Sequence, residues 1–449
     1  MNGNVNGNDA RGSVARTCPS ISAFAYDPRM PDLKAEELPQ PRVRPRVIQA
    51  VAAVLAVITI IGLVVLRPTG EARPDVRALG TFAGVYHAEV ERLSEGPCAG
   101  TPDAASPCLR VTYRLLEGPD EGSTVSLEGQ AESGRLQALS EGDEVLLGFQ
   151  PQAAPDFRYV FVDRSRNSAL LWLVALFAGA VVLLGRARGV AALAGLAATI
   201  GVLLLFVVPS IIDGRSPVLV SAVGASAISF FALYLAHGFS VRTTTALLGT
   251  LGGLACTVLL ASLFTEAAAL TGAVGEESFA LSALGASIDL RGLTLGGMII
   301  GALGAIDDMT ITQASAVWEL RQADPRMSAG NLRRSGRRIG RDHVASTVNT
   351  LVLAYAGASM PVLILVVLAS QPLGAVLNNE ILATEIVRTL VGSIGLVASV
   401  PITTWIAAQA ASSEDPSGLQ TAGSGQGGPA EITIPERRLD AWLPKRRRE

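Results

Sequence analysis

The chain has 449 residues, of which 49% are hydrophobic and only 17% charged, well below the quarter usual for a soluble globular chain. Its net charge of −3 gives no basic balance for nucleic acid. Its four Cys and three His form no CxxC and no HExxH, which argues against a metal site built on them. Several apolar runs exceed the ~18 residues that mark a membrane span, so the chain is expected to be an all-α polytopic bundle.

Residues 1–46 are polar and without periodicity, and are expected to be a disordered cytoplasmic tail. Val47–Leu66 is an unbroken apolar run preceded by Arg42, Arg44 and Arg46, which place the N-terminus inside. Residues 67–167 alternate apolar and polar in short runs at 85–90, 109–115, 124–128, 144–149 and 158–162, separated by turns such as EGPDEG. This pattern predicts a small extracytoplasmic β domain of about five strands. Cys98 and Cys108 fall within it, and two Cys in a loop of an exported domain favour a disulfide over free thiols.

Seven further spans are expected within 168–410. The second to fifth are 169–185, 190–212, 217–237 and 243–264, and the fifth carries a Gly249/Gly253/Cys256 stripe suited to close helix packing. Residues 265–290 mix short apolar pieces with four acidic residues, and read as an external amphipathic or re-entrant segment. The sixth span opens GLTLGGMIIGALGAIDDMTITQASAVWEL, from Gly292 to Leu320. Read at helical spacing, Gly297, Gly301, Gly304, Asp308, Thr312 and Ser315 share one face. Asp307 lies about 100° round the helix. On this reading Asp308 points into the bundle and Asp307 toward a less constrained surface. Two plainer readings stay open: Asp308 as the N-cap of a separate helix, or the pair at the inner membrane edge.

Arg321–Asp342 holds seven Arg against two Asp and no aromatic residue, and reads as a cytoplasmic loop. The seventh span, His343–Ser370, has a polar first half in which His343, Ser346 and Thr350 share a face with Asn349 beside it. Pro361 interrupts that span. The eighth, 386–410, contains Pro401, and 411–449 is a disordered basic tail.

GALGAIDDMTITQASAVWEL (301–320) and GRDHVASTVNTLVLAYAGASMP (340–361) resemble the signature regions of YibE/F-like bacterial membrane proteins. The resemblance spans roughly 165–408. It implies a plasma-membrane protein with both termini cytoplasmic, one external soluble domain and a bundle of seven helices after it. It also implies an acid at the position of Asp308, a non-acidic residue at Asp307, and a permease of unidentified substrate.

Two functions are therefore carried forward. A permease for an ion or small solute would couple through an intramembrane carboxylate. A non-transporting envelope protein would bind a partner through its β domain and use the bundle as anchor or relay. An intramembrane aspartic protease needs carboxylates on facing helices, whereas Asp307 and Asp308 are neighbours on one. No enzyme activity and no cofactor is expected, and the lipid bilayer is the one partner the composition requires. The oligomeric state is not encoded in any of these features.

Overall fold

The structure, a computed structural model, describes residues 45–70, 82–96, 108–130, 139–283, 288–368 and 372–413. Apart from their helical edges, the two expected tails lie outside the described residues, and so does Cys98. Seven helices among the described residues are long and apolar enough to cross a membrane, and a bent helix pair makes an eighth candidate.

Helix α1 (Pro45–Val65) opens on a proline, whose missing N–H costs nothing at a first helical turn. The chain then enters an antiparallel sheet of β1 (Gly84–Gly96), β2 (Cys108–Leu115), β3 (Thr124–Gln130), β4 (Glu144–Phe149) and β5 (Tyr159–Arg164). The strand order is β3-β2-β1-β4-β5. Alternate residues face one side, so Ala88, Val90, Val111, Tyr113, Leu115, Val145 and Leu147 form its core. Register shifts at Val90/Arg92 and Leu146/Leu147 bend the sheet. Tyr113 on β2 and Phe161 on β5 then stack at 6.4 Å across the curl, giving a half-barrel. Burial pushes the Tyr113 hydroxyl well above the ordinary tyrosine range. Cys108 is disulfide-bonded.

Helix α2 (Asn167–Gly185) buries no residue. It turns at Arg186, which has φ 51°, into α3 (Ala187–Ile212). A side chain at Gly189 would run into the Val181 carbonyl, so glycine lets this hairpin close. Within α3 the segment Leu203–Val207 is π-helical, just before Pro209, which has no N–H to give the preceding turn. Next come α4 (Pro217–His237), α5 (Val241–Ala267) and a short α6 (Glu276–Ala283) within the segment of ambiguous sequence.

Helix α7 (Leu290–Ala323) and helix α11 (Glu380–Ser413) are the longest, with 34 residues each. At 1.5 Å per residue that is about 51 Å, more than a ~30 Å hydrocarbon core needs. Between them lie α8 (Ala329–Ala358), α9 (Met360–Leu368) and a short α10 (Leu373–Leu377). The α8–α9 axis bends by 65° just before Pro361, which breaks the helical ladder.

The Arg-rich loop expected at 321–342 is instead a helical hairpin with a turn at 324–328. Arginine is a good helix former, and Ser328 caps α8 by accepting from Asn331 N at 3.3 Å. Leu332, Gly336 and Gly340, at steps of four, form a buried stripe that the charge pattern conceals. Leu332 joins Val317, Trp318 and the alanines at the end of α11 in one cluster.

Helices α5, α7 and α11 pack together as the centre of the bundle, with α4 and α8 against it and α3, α2 and α1 further out. Asp213, at the α3–α4 turn, accepts from Thr69 and Gly70 just beyond α1. This ties one end of the bundle to the chain that leads into the β domain.

Candidate functional site

The α5–α11 crossing sets the geometry. Gly249, Gly253 and Thr257 of α5 face Gly395, Ser399 and Thr403 of α11, both series at steps of four. A Cβ at Gly253 would stand 2.8 Å from Ser399 Cβ and 3.1 Å from the Gly395 oxygen. At Gly249 it would run into Thr403, and at Gly395 into Thr257. Small residues thus let the two backbones meet. The stripe continues through Thr257, fully buried, rather than through Cys256, which is partly exposed. The hydroxyls left at the seam bond back along their own helices, Thr257 to Gly253 O at 3.0 Å and Thr403 to Ser399 O at 2.8 Å.

This close approach carries Thr250 of α5 to α7. Its hydroxyl lies 2.7 Å from that of Thr310, which in turn donates to the Asp307 carbonyl at 3.0 Å. Thr250 and Ser229 of α4 set their hydroxyls near the Asp307 carboxyl. Ser229, Thr250 and Thr310 are fully buried. Each hydroxyl has one proton, and the competition for it is visible. Ser229 also reaches Ala225 O at 3.1 Å on its own helix. Asp307 Oδ1 is sealed from solvent with no hydrogen-bond partner. Ser229 stands about 12 Å before the end of α4 at His237, so the carboxyl meets the middle of that span.

The expected orientation of the acidic pair is reversed. Asp307 is partly buried, with its Oδ1 sealed on the packed side of α7, and Asp308 is exposed. Asp308 is also not an N-cap, since α7 runs through it unbroken. The glycines explain the reversal. A side chain at Gly297 or Gly304 would meet nothing within 4 Å, and one at Gly301 would meet only Tyr355 Oη, at 2.7 Å. The close approach to α4 uses Gly296 instead, where a Cβ would press on Ser221. Helix α7 therefore has two small-residue faces, and the packed one neighbours Asp307.

The polar face of α8 does not join this site either. Ser346, Asn349 and Thr350 are exposed, and His343 is partly buried. Thr350 bonds back to Ser346 O at 3.0 Å. The face that meets α7 and α11 is apolar, with Val344 and Val348 against Ile306, Met309 and Leu396. Thr312 and Ser315 are partly buried, on the open side of α7.

Four residues of the site were not singled out by sequence: Ser229, Thr250, Thr310 and Gln313. Thr243, Thr250 and Thr257 recur every seven residues and all are fully buried, a period that marks one helix face. Gln313 is fully buried and donates to Gly336 O and Thr404 Oγ1, both at 2.8 Å. It thereby stitches α7 to α8 and α11. Among the described residues no three of His, Cys, Asp and Glu come together as a metal-binding group.

The family model for YibE/F-like proteins matches residues 173–413, more than half of the chain. The chain belongs to the YibE/F-like family. The matched region runs from within α2 to the end of α11, and so contains every helix that touches Asp307. The YibE/F-like assignment does not extend to α1 or the half-barrel. No curated protein and no solved structure matches the chain.

Proposed function

We propose that this YibE/F-like protein is a plasma-membrane permease for an ion or small solute, driven by a proton or other cation that visits Asp307. The observation that carries the reading is the sealed, unpartnered Oδ1 of Asp307 amid buried hydroxyls from three spans. A carboxyl in such surroundings carries either a proton or a neutralising cation, because a bare charge there is costly. Exchange between those two states couples ion movement to a change in helix packing. Hydroxyls suit the role, since they donate to a carboxylate and accept from a carboxylic acid.

The same reading places the half-barrel outside and both termini inside. The Arg-rich hairpin and Arg186, Arg188 and Arg242 then all fall on the cytoplasmic side. An anchor or relay would have no use for a carboxyl held this way.

The test is an uptake and efflux panel across ions and small solutes, comparing cells that lack the protein with cells in which it is restored. A solute whose movement follows the protein and the proton gradient is the expected result. No solute-dependent difference across a broad panel, with the protein abundant in the membrane, would favour the relay.

A further inference from the structure

A cavity of about 310 Å³ opens at the half-barrel end of the bundle. It lies between the start of α7, the start of α11 and the segment before α6. Its chemistry is unlike that around Asp307. Arg388 donates through Nη1 to Glu385 Oε1 at 2.8 Å, and both side chains are about three-quarters buried. The Nε edge of the same guanidinium is buried and has no partner. Thr384, one turn earlier on the same face of α11, is 5% exposed, and its hydroxyl also has no partner.

Two orphaned donors therefore share one wall of a cavity, and one of them belongs to a cation. Leaving them unsatisfied is expensive. The group that answers both is a negatively charged acceptor with two oxygens. A guanidinium edge matches a carboxylate or phosphate in this way. The volume is at the small end of ligand sites. Two other polar groups of the wall are already engaged: the one Ser278 hydroxyl proton is shared between Gly272 O and Val274 O, and Gly272 N donates to Glu380.

We propose that this cavity binds a small oxyanion, a carboxylate or a phosphate, through Arg388 and Thr384. Glu385 tempers the affinity by occupying Nη1 and by its own charge. The site stands independently of transport through Asp307. The phosphate can belong to a free solute or to a phospholipid headgroup, because the cavity opens near the membrane's outer surface in the proposed topology.

The experiment uses the full chain in nanodiscs of neutral phosphatidylcholine, with radiolabelled inorganic phosphate and acetate in equilibrium dialysis. Saturable binding is expected. Arg388→Gln should weaken it by about tenfold or more, and Thr384→Val by about threefold. Glu385→Gln should tighten it, an effect that a purely structural Glu–Arg pair would not produce. Should Arg388→Gln fold poorly, the double variant Arg388→Gln/Glu385→Gln removes both charges together and should bind as weakly. A parallel arm uses nanodiscs containing phosphatidylglycerol and measures the lipid retained. Retention of that lipid, dependent on Arg388 and without free-anion binding, assigns the same site to a headgroup. Binding of anion and of lipid that is indifferent to Arg388→Gln, or weakened by Glu385→Gln, overturns the proposal.

Discussion

Asp307 and Asp308 are one residue and about 100° apart, and that rotation separates a partly buried carboxyl, with one oxygen sealed, from an exposed one. The helical wheel read from sequence grouped the residues of α7 correctly but could not say which group meets a neighbour. Glycines mark a close approach only where a second helix is present, and α7 carries glycines on both faces. The recurrence of Thr243, Thr250 and Thr257 is the sequence signal for the packed face of α5, because a step of seven keeps these buried threonines on one side of an otherwise apolar span. Thr250→Val keeps the shape and removes the hydroxyl shared with Thr310. It should cost roughly 1 kcal/mol of stability, in the range of such bonds within membranes, and reduce activity far more than Thr312→Val does. Thermal melting in detergent and the solute assay, run on both variants, check the contrast. Equal activity of the two would remove Thr250 from the site.

The helices and strands themselves were largely legible, for reasons that differ between them. Long apolar runs fix spans whatever their neighbours, and alternation fixed the strands of the half-barrel to within a few residues, since one face must be buried. The hairpin of α7 and α8 was not legible, because seven arginines masked the stripe of Leu332, Gly336 and Gly340. At this scale the glycines make a paired test. Gly253→Val must displace Ser399 or the α11 backbone, and should cost about 1–3 kcal/mol. Gly304→Ala meets nothing and should be neutral or slightly stabilising, since alanine suits a helix better. Melting temperatures of the two variants decide between the packed α5–α11 seam and the small-residue face first expected from sequence. In the half-barrel, Cys108→Ala opens a disulfide and should cost roughly 2–4 kcal/mol. The loss should appear as greater protease sensitivity of that domain, while the bundle stays intact.

At the scale of the whole molecule, the half-barrel, the cavity at its end of the bundle and the carboxyl at mid-bundle lie at different depths along the helices. The topology is tested by single cysteines placed at two exposed positions. Ser123→Cys should react with an impermeant maleimide in intact cells, and Arg337→Cys should not. The reverse pattern would invert the protein. The claim on which the function rests is the distinction between neighbouring carboxyls. It is tested most directly by Asp307→Asn and Asp308→Asn, compared at matched membrane abundance in the solute assay. Asparagine keeps the shape and most of the hydrogen bonding but removes the titrating proton and the charge. The account predicts that Asp307→Asn folds, reaches the membrane and loses activity, while Asp308→Asn stays near the unmodified protein. Full activity of Asp307→Asn, or loss confined to Asp308→Asn, would contradict it.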